Sequence, residues 1–365
     1  MLRMPRRGIS TRNFNLMSDK KLQLSVLDQS PIRQGGTARQ ALLETIELAR
    51  LTDRLGYSRF WVSEHHNAGS LAGSAPEVLL ARLGAETSRI RLGSGGVMLP
   101  HYSALKVAEN FRLLEALYPG RLDLGIGRAP GTDRLTAHAL NPHNQFRDEE
   151  FAEQLMDLRA YLHDEVVPDT IHARVKAAPF IDTVPELWLL SSSGQSGLFA
   201  AEIGAAFSFA HFINPVGGPD MVRLYRERFK PSAELAAPQA NVAIFTFCAD
   251  TEAKARELAD GLALQMLKLE MGDRTPIGPP DAVRNFPLAP EQRARLAYHH
   301  QRIISGTPGQ VKAKFERLAA AYGVEEVVAV TICYDFQDRL RSYELLAEAF
   351  GLQAAEGKAK MAAAH

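Results

Sequence analysis

The sequence predicts an α/β fold, a closed (β/α)8 TIM barrel with an insertion loop before the last unit. Three observations predict it. Short apolar, β-branched runs alternate with helical periods from residue 22 to residue 352, eight strand candidates occur in that alternation, and no long hairpin signal interrupts it. An open doubly wound sheet is the alternative arrangement of the same units.

The units follow in order. "LQLSVLD" suits a strand, and Thr37 to Leu55 carries Ala41, Leu42, Ile46, Leu48, Ala49 and Leu51 at helical spacing before Gly56 stops it. "SRFWVSE" is the second strand and "APEVLLARLGAETS" its helix. "IRLGSGGVMLP" is the third, followed by "SALKVAENFRLLEALYPG", which Pro119 and Gly120 end. "RLDLGIG" opens a fourth unit whose helix runs through "EEFAEQLMDLRAYLHD". The second half repeats the scheme with "ELWLLSS", "AAFSFAHF", "QANVAIFTFCA" and "VEEVVAVTIC", each followed by a helical pattern. Between the seventh helix and "GTPGQVKAKFERLAAAYG" lies Gly272 to Pro290, with five prolines and two glycines. Such a stretch reads as a structureless functional loop near the barrel mouth.

The barrel is thus expected as one domain over residues 22–352. Residues 1–21 carry Arg3, Arg6, Arg7 and Arg12 before any acid and read as a disordered extension, with a targeting segment as the alternative. Residues 353–365 read as a C-terminal tail. Forty-two basic residues balance 42 acidic ones, so no global field draws in nucleic acid or a membrane surface, and no run reaches the roughly 18 apolar residues of a membrane span. Cys248 and Cys333 lie in apolar runs without metal-ligand spacing, as buried free thiols of a cytoplasmic protein would.

In barrels of this kind reactive groups sit where strands lead into helices. "WVSEHHNAG" places Glu64, His65 and His66 there. Neighbouring residues of an extended chain point to opposite faces, so the two imidazoles make a poor metal pair, and no HExxH occurs; no metal is expected. Distant ligands such as His101 and His211 could still complete a site; the other readings are loop hydrogen bonding, or one histidine facing the barrel axis as an acid/base or polar contact. "LLSSSGQSG" puts three serines before a helix start, more than a single N-cap needs, and so suits a phosphate. Arg128, in "GIGRAPG", offers a cation to that phosphate or to the protein's own carboxylates. Gly93, Gly95 and Gly96 inside a strand suggest a bulge or the close approach of a flat ligand, and no GxGxxG motif is present.

"GYSRFWVSEHHN", the stretch from "RIRLGSGGVMLP" to "LDLGIGRAPG", and "LWLLSSSGQSGLFAAEIG" resemble the bacterial luciferase-like flavin-dependent monooxygenases. Within them the chain is most similar to the single-chain luciferase-like oxidoreductases, over residues 22–352. The resemblance implies FMN, used in its reduced form, with His65 as the catalytic residue. It also implies flavin contacts at Ser94, Gly95, Gly96, Arg128, Ser192, Ser193 and Ser196, with a cis peptide between Gly95 and Gly96. His66, His101 and His211 are expected to line the substrate pocket. Luciferase has a glutamate where this chain has Ser192, and neither cysteine matches its reactive one, so light emission is not implied. The expected partners are a small organic substrate, O2, a separate flavin reductase and a second copy of the chain through the early helices. The lack of a nicotinamide motif agrees with an external reductase. A deazaflavin-dependent hydride-transfer enzyme and a non-catalytic flavin carrier are the alternative functions.

Overall fold

A computed structural model describes residues 21–353 apart from residues 129, 130, 144 and 146. The expected N-terminal extension, residue 21 aside, and C-terminal tail, residue 353 aside, lie outside the described residues.

Ten strands form one parallel sheet: β1 Gln23–Asp28, β2 Arg59–Val62, β3 Arg91–Ser94, β4 Val97–Met98, β5 Leu122–Gly127, β6 Glu186–Ser191, β7 Ala206–Ala210, β8 Ala240–Cys248, β9 Ile303–Gly306 and β10 Glu326–Val330. The order β1-β2-β3-β5-β6-β7-β8-β10 returns to β1, so eight strands close a TIM barrel. β4 continues the line of β3 across Gly95 and Gly96, and both segments pair with β5.

Local chemistry sets the helix ends as the sequence predicts. The helix Ala38–Leu55 starts where the Thr37 side chain accepts from the Gln40 N–H and stops at Gly56, whose φ of 88° is left-handed. Strand side chains alternate between two apolar layers. Phe60, Val62, Phe207 and Phe209 pack outward against the helices, whereas Leu27, Trp61, Trp188 and Phe245 fill the barrel.

The stretch Gly272 to Pro290 is not structureless. Ile277 bridges to Arg33, a short helix spans Pro280–Arg284, and the helix Pro290–His300 leads into β9, a strand the periodicity did not reveal. β9 pairs with Phe245 to Cys248, whereas β7 takes Ala240 to Ala243 and β10 takes Val242 to Phe245. The nine-residue β8 therefore outruns the ring and offers its carboxyl-end half to a strand outside it. Among the described residues no helix is long and apolar enough to cross a membrane.

Candidate functional site at the carboxyl ends of the strands

The chain leaves β2 through Ser63, Glu64, His65 and His66, and the strand alternation continues into the turn. The His65 ring nitrogen Nδ1 lies 3.1 Å from the Ser63 hydroxyl, two residues back on the face of Trp61. His66 takes the other face and meets Glu64 at 2.8 Å. The two rings diverge, and among the described residues no cluster of three His, Cys, Asp or Glu is arranged to hold a metal. Desolvation, with a smaller contribution from neighbouring His66, pushes the His65 pKa down to about 4, so its ring is neutral near pH 7. The backbone of His66 is tied at both ends: its N–H donates to the Gly131 carbonyl at 3.3 Å, and its carbonyl accepts from the Thr132 hydroxyl at 2.8 Å.

The turn after β4 brings up His101 and Tyr102. The His101 ring stands edge-on to His66 with centroids 5.9 Å apart, and the Tyr102 hydroxyl donates to Glu64 at 2.8 Å. Burial, reinforced by Glu64, holds the Tyr102 pKa well above its ordinary value, so the hydroxyl keeps its hydrogen. His66 and His101 thus stand together.

His211 does not join them. It continues the outward face of Phe207 and Phe209, and its Nδ1 lies 2.7 Å from the hydroxyl of Tyr322, a helix residue that packs on Phe209. The structure sets it apart from His66 and His101, against a residue of the helix layer.

The glycines of "GSGG" are explained mainly by the barrel itself. A Cβ on Gly93 would sit 2.7 Å from Asp123 and Trp61, one on Gly95 2.6 Å from Leu27, and one on Gly96 2.8 Å from the Gly125 carbonyl. The Gly95–Gly96 peptide is cis. Ser94 is fully buried, and its hydroxyl is engaged with the backbone of Gly125, donating to the carbonyl at 2.8 Å and accepting from the N–H at 3.0 Å. Its side chain belongs to the barrel wall.

After β6, the helix Gln195–Ile203 begins at Gly194 without a side-chain cap. The serines therefore do not serve as its N-cap, and the first N–H groups remain available to an anion. Ser193 is exposed and shares hydrogen bonds with the Ser191 hydroxyl, the Ser192 carbonyl accepts from Asn214 at 3.1 Å, and Ser196 is buried in the first turn. Arg128 is part exposed and pairs with Asp148. These residues fit a phosphate-bearing cofactor: an uncapped helix start, an exposed hydroxyl and an arginine on the same rim. Tyr102, Asn214 and Asp148 went unread in the sequence, because each is an ordinary polar residue far along the chain from its partner. A surface cleft lined by Arg256, Asp260, His300 and Lys314 lies outside the barrel against β9, and its mixed charges single out no ligand.

The model of the luciferase-like monooxygenase family matches residues 22–326. A Bacillus subtilis (strain 168) protein called YwcH is 51% identical over 332 residues, covering 90% of this chain and 99% of its own length. The N-acetyl-S-alkylcysteine monooxygenase of the same organism is 37% identical over 333 residues, covering 90% and 98%. The crystal structure of apo-MsnO8 superposes with a TM-score of 0.85 at 40% identity, covering 91% of this chain and 99% of that one. At the level of fold alone, the barrel resembles the FMN-bound oxygenating constituent of 3,6-diketocamphane monooxygenase from a Pseudomonas putida plasmid, at 19% identity, TM-score 0.65 and coverage of 90% and 97%. It also resembles an F420-dependent secondary alcohol dehydrogenase, at 15% identity, TM-score 0.63 and coverage of 90% and 99%. With its eight-stranded barrel and a match from residue 22 to residue 326, the chain belongs to the luciferase-like monooxygenase family of flavin-dependent oxidoreductases.

Proposed function

We propose that the protein is a two-component monooxygenase that uses reduced FMN, supplied by a separate reductase, and O2 to oxygenate a small organic substrate. The observation that carries this reading is the uncapped, serine-bordered helix start on the same rim as His65. The helix N–H groups, Ser193, Ser196 and Arg128 would hold the phosphate, with Ser192 beside them and the Gly95–Gly96 backbone against the flavin ring. Bound reduced FMN supplies two electrons to O2, one oxygen atom going to substrate and the other to water. The chain's own part is to bind, to orient and to keep water out. The inner wall near the strand ends is apolar, with Leu27, Phe245, Phe247, Val330 and Ile332, which suits a substrate with an apolar body. His65, His66 and His101 provide the polar contacts.

We place the enzyme in the cytoplasm, in keeping with the buried free thiols Cys248 and Cys333. A homodimer would pair the helices Pro76–Glu86 and Ala104–Leu117, whose Val78, Leu113 and Leu117 are exposed. A monomer in sedimentation at micromolar concentration would remove it.

The test supplies chemically reduced FMN and then O2 in the presence of thioethers, including N-acetyl-S-alkylcysteines, and apolar ketones. Substrate-dependent oxygen uptake with an oxygenated product is expected. Tight binding of F420 with no response to reduced FMN would replace the reading with deazaflavin hydride transfer. Flavin binding without any product would leave a carrier.

A further inference from the structure

Glu64 has no part in the reading above, yet it sits at the centre of the rim. It is 1% exposed, and three groups reach it. The Met98 N–H donates to Oε2 at 3.1 Å, the Tyr102 hydroxyl donates to Oε1 at 2.8 Å, and His66 Nε2 lies 2.8 Å from that same Oε1. The first two are donors, so the carboxyl group acts there as an acceptor. A lone pair on His66 Nε2 would set acceptor against acceptor at 2.8 Å in a buried site, whereas an N–H there makes a charge-assisted hydrogen bond. Tyr102, whose oxygen is 3.3 Å from that nitrogen, does not donate to it, because its single hydrogen is used on Glu64.

We propose that Glu64 is a positioning residue that holds His66 as the Nε2–H tautomer and so makes Nδ1 of His66 the proton acceptor of the site. His65, with Ser63 as its partner and no carboxylate hydrogen-bonded to its ring among the described residues, then serves as a neutral hydrogen-bonding group. The inference rests on the function proposed above only for where the proton comes from. An acidic hydrogen of substrate or water passes to Nδ1, its electron pair stays on the atom it leaves, and Glu64 faces the imidazolium that results. The same nitrogen returns the proton to solvent, which the 12% exposed His66 side chain meets. The bonds to Gly131 and Thr132 hold the main chain that carries the ring.

The experiment reads the tautomer directly, by two-bond 1H–15N correlation of the histidine rings in the 15N-labelled full-length chain. The His66 signals are assigned by their loss in His66→Asn. His66 is expected as Nε2–H in the unaltered protein. Glu64→Gln, whose amide N–H can face Nε2, should move it toward Nδ1–H and lower kcat by about a hundredfold with FMN affinity within about twofold. Tyr102→Phe should keep the Nε2–H tautomer. An Nδ1–H ring in the unaltered protein overturns the proposal whether or not any variant folds, and so does an unchanged ring in Glu64→Gln. If the spectra agree and no oxygenation is found, the proposed function fails while the tautomer assignment stands.

Discussion

The two ends of the barrel interior hold similar residues in different states of completion. At the amino ends of the strands, Arg59 reaches Asp123 at 2.8 Å and Glu186 and Glu326 at 3.2 Å, and Arg91 reaches Asp123 at 2.6 Å. Trp61 and Trp188 donate their indole N–H groups to Asp123 and Glu186 at 2.9 and 2.8 Å, so the layer satisfies its own charges. At the carboxyl ends, by contrast, the His65 ring meets the Ser63 hydroxyl, Ser193 meets Ser191, and the helix at Gln195 starts without a side-chain cap. A closed network on strands contributes to stability and uniqueness; an unfinished one on turns is where chemistry is done.

Substitutions at the two ends should therefore separate stability from binding. The largest effect is expected for Arg59→Ala. It leaves Glu326 buried without its cation and Asp123 with Arg91 alone, and should cost about 3–5 kcal/mol in urea unfolding. An unchanged midpoint would mean that the lower layer is hydrated and loosely coupled.

Next comes the acid limb of stability. The folded-state pKa of His65, about 4, lies below the ordinary 6.5, so its contribution is fully present above 6.5. It is lost as pH falls toward 4, with a size on the order of 2 kcal/mol after allowing for the partial exposure of the ring. His65→Gln should flatten that limb, and parallel curves for the two proteins would assign the effect to other groups.

Ser193→Ala should weaken FMN binding by about tenfold, one hydrogen bond to a charged group, while the unfolding midpoint stays put. Equal loss of both would move Ser193 to the structural class of Ser94. The smallest effect is expected for Arg274→Ala. Its exposed pair with Asp133, at 3.9 Å, ties the insertion to the rim, and its removal should change stability by less than about 0.5 kcal/mol.

Much of this was legible in the chain, and the gaps have physical causes. Helix limits such as Thr37 and Gly56 are local events, settled by a capping hydroxyl and a left-handed turn, and the eight barrel strands carry their own periodicity. β9 escaped notice because its four residues, "IISG", are too short to show a period, and their strand state comes from pairing with β8. The contact of His211 with Tyr322 was not legible either, because one step of strand parity decides which layer a strand-end side chain meets, and composition is blind to that step.

Local periodicity, caps and turn residues, acting over a few neighbours, were enough to specify an alternating α/β chain and the strand ends on which its candidate groups lie. Pairing between distant residues was not. Glu64 and Tyr102 are 38 positions apart and Arg59 and Glu326 267 apart, and nothing in either segment names its partner. Only closure of the barrel brings them within hydrogen-bonding reach. There, the low dielectric and the loss of water give each contact its consequence: a sealed charge layer at one end, and at the other a histidine whose tautomer a buried carboxylate selects.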